Sequence, residues 1–303
     1  MRDKKSVFQL FGETSASIYP LARDVMRPLF EEYFSEQRFY QAIFFAYNLS
    51  PDPITPELFL KRIPYAKPES VLEILEDAVE AGYLEVDGQG DYLPAEKGSS
   101  AIEAVHEAFY TRANQINEFP DEKLKELASL LAKLVDSVDQ SELAGGKICY
   151  KASHGGHIQV EPGTLAQVDQ LLDDLNAFRD DAHISAWTPV GVGGHTWEIL
   201  TFVWNGDATT AEALNERLPY RQYTMEDYQS SLEDLVQRGW IVEGAEGYLV
   251  TDVGKKIRDE AEEITNENYF RPWKVLTDAE LDRIGDLLEE LKETNLKMVE
   301  KDD

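Results

Sequence analysis

The sequence predicts a mainly α-helical chain with two small β-hairpins, built from one structural unit that occurs twice. Two observations support this. Apolar residues recur at helical spacing along most of the chain, and two short strand–glycine–strand patterns interrupt them. A set of core positions near residue 75 also returns in the same order near residue 232. The predicted domains are a first repeat at 1–142, a linker at 143–162 and a second repeat at 163–303.

The repeat is defined by matched residue types at a nearly constant offset of 157. Its first copy contains Arg62-Ile63-Pro64-Tyr65, Leu75-Glu76-Asp77, Gly82-Tyr83-Leu84, Tyr92-Leu93, Gly98, and Leu124, Leu127, Leu131 and Leu134. Its second copy contains Arg217-Leu218-Pro219-Tyr220, Leu232-Glu233-Asp234, Gly239-Trp240-Ile241, Tyr248-Leu249, Gly254, and Leu281, Ile284, Leu288 and Leu291. Because order, spacing and residue type are kept together, we interpret the chain as an internal duplication.

Each copy is predicted to begin with a long amphipathic flank helix, over 18–33 in the first copy and from 165 to 178 in the second. A nearly all-apolar helix follows, at 39–47 and 197–204, and its composition predicts a buried position. A short helix comes next. Thr55 is expected to cap it in the first copy, and Thr209 to form a capping box with Glu212 in the second.

The third helix of each copy is predicted at 68–81 and 225–238, and Gly82 or Gly239 ends it. A hairpin with a glycine-bearing turn follows in both copies. Two closing helices complete each repeat, at 98–117 and 121–138, then at 254–268 and 277–298. Thr277 and Glu280 have capping-box spacing at the start of the last helix. The linker carries two glycine pairs, which favours an irregular crossing.

This order of elements is that of a winged helix-turn-helix with helical flanks. The Leu-x-x-Leu and Gly-(Tyr/Trp)-(Leu/Ile) core pattern resembles the MarR (multiple antibiotic resistance regulator) type of winged-helix protein. So do the Tyr-Leu strand, the glycine after it and the closing (Pro/Thr)-Asp-(Glu/Ala)-(Lys/Glu)-Leu helix. The resemblance implies two tandem winged helix-turn-helix domains whose flanking helices form a pseudo-two-fold dimer. It also implies a DNA-binding transcriptional regulator that responds to a small aromatic ligand. The chain would act as a monomeric pseudo-dimer or as a homodimer.

The charge argues against DNA binding. The 303 residues hold 58 acidic and 29 basic side chains, a net charge of −29. Affinity for nucleic acid comes mainly from cations placed on phosphates, and so negative a field repels DNA at long range. A local basic patch, or a salt-rich cytoplasm that screens the field, would offset this. The third helix of each copy is acidic, and its only basic residue in either copy is Arg238, at the far end of the second. The hairpin segments 85–92 and 242–248 contain no basic residue.

Ten residues around the two turns remain candidates for DNA contact, and solvated or internally paired loop charge is their alternative interpretation. They are Lys61, Arg62, Lys67, Arg217, Arg221, Gln222, Tyr223, Thr224, Gln229 and Ser230. A dimer that binds two DNA half-sites must present its two recognition helices on one face, about 34 Å apart. The competing hypothesis is a degenerate winged-helix protein that does not bind DNA and serves as a small-molecule sensor or protein-interaction module.

Aromatic residues of the second copy define a candidate ligand pocket, with ordinary core packing as the alternative. Its members are His183, Trp187, His195, Trp197 and Trp204. In the linker, His154-Gly-Gly-His157 has no third ligand nearby in the sequence, so solvated histidines are expected and no metal site is predicted. No cofactor motif or catalytic constellation stands out, and an enzyme is not expected.

Three further features bear on the compartment. The single cysteine, Cys149, excludes an internal disulfide framework and a cysteine-rich zinc site. No signal-peptide pattern follows Met1, and no apolar run approaches the length of a membrane span. These features predict a cytoplasmic protein without a membrane partner.

Overall fold

A computed structural model describes residues 2–34 and 37–302. Its helices are α1 (Lys4–Ile18), α2 (Arg23–Tyr33), α3 (Gln37–Leu49), α4 (Pro56–Arg62), α5 (Pro68–Glu80), α6 (Glu96–Asn114), α7 (Asp121–Asp139), α8 (Ile148–Gly155), α9 (Leu165–Trp187), α10 (Gly194–Asn205), α11 (Ala211–Arg217), α12 (Met225–Gln237), α13 (Asp252–Phe270) and α14 (Asp278–Asp302). The strands β1 (Leu84–Val86) and β2 (Tyr92–Pro94) form one antiparallel hairpin, and β3 (Ile241–Gly244) and β4 (Gly247–Val250) form the other. Within these described residues, no helix is both long enough and apolar enough to cross a membrane.

The mainly helical fold with two hairpins is confirmed, and the third and closing helices lie within about four residues of their predicted bounds. The first flank helix differs. The predicted helix over 18–33 is interrupted by a 3₁₀ turn, Tyr19–Ala22, and continues only as α2. Pro20 explains the break, since a proline inside a helix lacks the amide donor and crowds the preceding turn. The helix α1, which precedes this turn, was not predicted.

Two of the predicted caps are confirmed and one is wrong. Thr55 accepts a hydrogen bond from the backbone N–H of Leu58 at 3.1 Å. Thr277 and Glu280 exchange the two hydrogen bonds of a capping box. In the second copy, however, Thr210 caps α11 by accepting from the N–H of Ala213. Thr209 lies one residue before this cap, and its carbonyl accepts a hydrogen bond from the N–H of Tyr248 in β4.

The linker also differs from its prediction, because it contains the helix α8. Cys149 and Tyr150 are buried on this helix. Their backbone N–H groups donate to the two carboxylate oxygens of Asp181 in α9, at 2.9 and 2.8 Å. Asp181 therefore satisfies donors at the start of α8 that have no partner within the helix. Burial raises the pKa of this carboxyl above its usual value.

The chain forms two compact units. The first comprises Met1–Ile54, Asp77–Asp181 and Tyr269–Asp303, and the second comprises Thr55–Glu76 and Ala182–Asn268. Contacts define these units, whereas sequence similarity defines the repeats. The repeat boundaries at 1–142, 143–162 and 163–303 therefore stay a prediction.

The core of the first unit is built largely by helices from both ends of the chain. The helix α14 packs against α1 and α7. The ring of Phe11 on α1 stacks on Trp273, which lies in a 3₁₀ turn just before α14, with centroids 5.3 Å apart. The leucine positions that matched between the repeats are all buried on α7 and α14. The contact between α7 and α14 is called the α7–α14 seam.

Three ion pairs cross the α7–α14 seam in a reciprocal pattern. Under the 157-residue offset, Lys123 is equivalent to Glu280, Glu126 to Arg283 and Lys133 to Glu290. Glu126 pairs with its own equivalent, Arg283, and the guanidinium Nε donates at 2.9 Å. Lys133 pairs with Glu280, and Lys123 pairs with Glu290. An isologous two-fold contact has this pattern, in which residue i meets the equivalent of j and j meets the equivalent of i.

Charge reversal at the centre of this seam tests the pairing. We expect Arg283→Glu to lower the melting temperature by about 2–4 °C, because it places two carboxylates opposite each other. The swap Glu126→Arg with Arg283→Glu restores the opposite charges and most of the lost stability. Lys297→Glu makes the same change in charge on an exposed part of α14 and serves as the control. A swap no more stable than Arg283→Glu alone would contradict the pairing.

Candidate nucleic-acid interface

The second unit contains the helices α10, α11 and α12 followed by the hairpin of β3 and β4, an arrangement consistent with a winged helix. Its core is apolar, with Trp197 of α10, Leu214 of α11 and Leu232 of α12 all buried. The third helix, α12, starts at a capping box in which Thr224 and Asp227 exchange hydrogen bonds. This cap fixes the start of α12, the candidate recognition helix.

The hairpin of this winged helix is acidic and apolar at its surface. Val242 and Leu249 are paired across the two strands, and both are about half exposed. Glu243 and Glu246 add two exposed carboxylates. A wing that contacts the minor groove benefits from cations, which follow the negative potential there. The described hairpin offers none.

A segment of the first copy, Thr55–Glu76, belongs to the same unit. Its turn between α4 and α5 packs against the second copy. The Tyr65 ring stacks on Trp187 with centroids 6.1 Å apart, and Tyr223 donates its hydroxyl to the carbonyl of Ala66 at 3.2 Å. Gly194 is required at the start of α10, because a Cβ there would lie 1.9 Å from the Pro64 carbonyl oxygen.

This packing brings the starts of the two third helices together. Lys67, which precedes α5, forms an ion pair with Asp227 in the first turn of α12, with Nζ 3.1 Å from Oδ2. Hydrogen bonds from the Thr224 backbone and then from Lys67 hold the pKa of Asp227 below its usual value. The turns that lead into the two candidate recognition helices therefore form one surface instead of two separate sites.

Several predicted DNA-contact residues have partners inside this unit. Arg221 forms an ion pair with Glu198 at 2.8 Å and lies over the Tyr65 ring. The Arg217 guanidinium lies 5.6 Å from the centroid of the Phe202 ring. The remaining engaged candidates are Lys67, Tyr223 and Thr224, described above, and Gln229, whose amide donates to Glu233 and Tyr248.

Other candidates lie at the surface. Lys61, Gln222 and Ser230 are exposed, and Arg62 is partly buried. Gln222 adopts a left-handed backbone conformation, with φ of 61°, in the turn before α12. The unit as a whole holds 20 acidic and nine basic side chains, so any phosphate contact here works against the field of its own domain.

The residues of the predicted ligand pocket lie in or beside the aromatic core of this unit. Trp187 and Trp197 are buried and stacked, with centroids 5.9 Å apart. The Arg258 guanidinium lies 5.1 Å from both the Trp197 and the Trp204 ring centroids. His195 is buried and stacks on Tyr223 at 3.5 Å. His183 is partly buried near the end of α9.

Sequence reasoning missed three acidic partners. Asp227 pairs with Lys67, and Glu198 pairs with Arg221. The capping spacing Thr224-x-x-Asp227 was the only sequence signal that pointed to Asp227. In the first unit, Asp174 lies against both linker histidines, His154 and His157. These three side chains have the spacing of metal ligands. Asp174 follows His157 by 17 residues, so only the fold reveals the contact.

The Arg221–Glu198 pair is partly buried, and its removal tests whether Arg221 has a structural role. Glu198 is 11% exposed, and burial raises the pKa of its carboxyl. We expect Arg221→Met to destabilise the second unit by about 2 kcal/mol in urea unfolding, because it leaves this carboxylate without a cation. Adding Glu198→Gln recovers most of the loss. Arg238→Met, which removes the exposed ion pair with Asp234, is the control and changes stability by less than about 0.5 kcal/mol.

His195 makes the second unit sensitive to acid. Burial lowers the pKa of His195 to about 4, and Asp227, Arg221 and Lys67 are the charged groups around it. Since the folded pKa lies below the unfolded value of about 6.5, the stabilisation is complete above that pH and is lost as the pH falls towards 4. Wild type should lose up to about 3 kcal/mol more than His195→Phe over this interval. His106, whose pKa burial also lowers to about 4, is present in both proteins and cancels. Parallel pH profiles would contradict the assignment.

Comparison with known proteins identifies the family. A family model described as "Helix-turn-helix family" matches residues 91–299, well over half of the chain. No curated protein and no solved structure matches the chain. The protein belongs to this helix-turn-helix family.

Proposed function

We propose that the protein is a DNA-binding transcriptional regulator that contacts DNA with the start of α12. Membership of the helix-turn-helix family suggests such a regulator in coarse terms and a non-enzymatic role. The observation that carries the proposal is the complete winged helix of the second copy. Its third helix exposes Ser230 on the first turns, and Gln222 is exposed just before it, where base contacts are commonly made.

The ion pair between Lys67 and Asp227 is compatible with this proposal. Both side chains are partly exposed, and surface ion pairs contribute about 0–1 kcal/mol. Exchange of the Asp227 carboxylate for a phosphate therefore costs little. Arg221 differs, because its partner Glu198 is mostly buried and would be left without a cation. Lys61 and Lys67 are thus better candidates for phosphate contact than Arg221.

The geometry favours one DNA contact site per chain. A MarR-type dimer places its recognition helices about 34 Å apart to contact two half-sites. Here, the Lys67–Asp227 contact places the start of α5 beside the start of α12. We infer that the chain is an internal duplication, supported by the reciprocal ion pairs of α7 and α14, but one that contacts a single short DNA site.

A second candidate function is a protein-interaction module that does not bind DNA. The exposed apolar pair Val242 and Leu249 on the acidic hairpin favours it, as does the excess of acidic side chains in the unit. A small aromatic ligand remains a further proposal. It would require the stacked Trp187 and Trp197 to separate or His195 to leave Tyr223.

Titration of fluorescent genomic duplex fragments at about 50 mM salt tests the DNA proposal. We expect a subset of fragments to bind, with an affinity that falls as salt rises. Lys61→Gln should lower the salt slope by about 1 and weaken binding equally across sequences. Ser230→Glu should weaken binding at least about tenfold, because it places a carboxylate at the groove.

Lys256→Gln is the matched control for Lys61, since it removes an exposed lysine of the same unit on α13. It should leave the affinity and the salt slope unchanged. If wild type binds no fragment at low salt, the DNA proposal is wrong and the protein-interaction module is the better interpretation. Equal effects of Lys61→Gln and Lys256→Gln would show that the contact is not at this surface.

A further inference from the structure

Three ligand-type side chains meet in the first unit, outside the winged helix. The buried carboxylate of Asp174 lies between two imidazoles. Its Oδ2 is 2.7 Å from Nδ1 of His154, and its Oδ1 is 3.1 Å from Nε2 of His157. The candidate ligand atoms of the three residues all lie within 4.8 Å of one another.

The linker is folded in a way that fixes both histidines. His154 lies in the last turn of α8, and its ring is stacked on Tyr150 with an interplanar angle of 17°. The next two residues are glycines that touch α3. A Cβ at Gly155 would lie 1.9 Å from the Asn48 carbonyl oxygen, and one at Gly156 would lie 2.5 Å from its side-chain amide nitrogen. The glycines therefore let the linker approach closely enough to bring His157 beside His154.

The burial of Asp174 favours a bound cation. Its side chain is fully buried, and Oδ1 accepts no hydrogen bond. A buried carboxylate oxygen without a hydrogen-bond partner is stabilised when a cation binds it.

We propose that His154, His157 and Asp174 bind a divalent transition-metal ion of the zinc type. Imidazole nitrogen and carboxylate oxygen are ligands that zinc accepts, and three protein ligands leave one coordination position for water or another molecule. Ligand atoms around tetrahedral zinc are about 3.3–3.5 Å apart for bond lengths near 2.0–2.2 Å. The two measured separations from Asp174, 2.7 and 3.1 Å, lie just below this range, so small side-chain rotations complete the geometry.

The metal-free cluster is held by hydrogen bonds of neutral imidazoles. His154 Nδ1 lies 2.7 Å from Asp174 Oδ2, and His157 Nε2 lies 3.2 Å from the carbonyl oxygen of Gln170. A bound metal ion would replace these hydrogen bonds by coordination, with both imidazoles in the neutral form. The ion would join the last turn of α8, and His157 two residues beyond its end, to α9.

Zinc titration of the full chain against a chromophoric chelator at neutral pH tests the site. We expect wild type to bind one zinc ion per chain and to gain melting temperature from it. His154→Gln, His157→Gln and Asp174→Asn should each weaken binding at least about tenfold. Cobalt(II) should give visible absorption bands in wild type that the three variants lose.

His183→Gln is the matched control, because it removes an imidazole outside the cluster and should bind zinc as wild type does. His154 is half exposed, so His154→Gln should keep its fold, and circular dichroism checks this for each variant. Absence of zinc binding by wild type up to about 1 mM would overturn the proposal. Unchanged affinity in folded His154→Gln would do the same. DNA plays no part in this measurement, so its outcome is separate from that of the proposed function.

Discussion

The contact between α7 and α14 joins the last helices of the two predicted copies. Both helices bury apolar side chains, such as Leu131 and Leu288, and burial of such side chains supplies most of the stabilisation of a fold. The ion pairs contribute little energy but select the partner. If either copy met a second copy of itself, Glu126 would face Glu126, or Arg283 would face Arg283. If the chain is an internal duplication, the divergence of charge between equivalent positions favours pairing within one chain over pairing of identical copies.

Much of the fold could be predicted because local patterns determine it. Helical periodicity located the third and closing helices, and capping spacing located Thr55 and Thr277. The errors arose where local rules competed. Pro20 interrupts a strongly periodic segment. Thr209 and Thr210 are neighbours of the same residue type, so the sequence alone does not show that Thr210 is the cap. The linker helix lacked a long periodic pattern, since it is only eight residues long.

The candidate sites were less predictable because their partners come from distant parts of the chain. The basic residues of the turn were visible in the sequence, but their acidic partners were not. Lys67 and Asp227 are 160 positions apart, and no propensity rule connects them. Similarly, His154 and His157 suggested metal binding only weakly until α9 supplied Asp174. Residue type and spacing identify a potential donor, whereas only the fold shows whether a phosphate, a metal or a neighbouring carboxylate satisfies it.

The two predicted copies differ in how their elements are distributed between the compact units. In the second copy, α10, α11, α12 and the hairpin lie in one compact unit. In the first copy, α4 and the start of α5 belong to that same second unit, whereas β1 and β2 belong to the first unit. The turn of the first copy thus supports the start of α12 through the Lys67–Asp227 and Tyr223–Ala66 contacts. Both segments have the same order of three helices and a hairpin, and they differ in which compact unit holds each element.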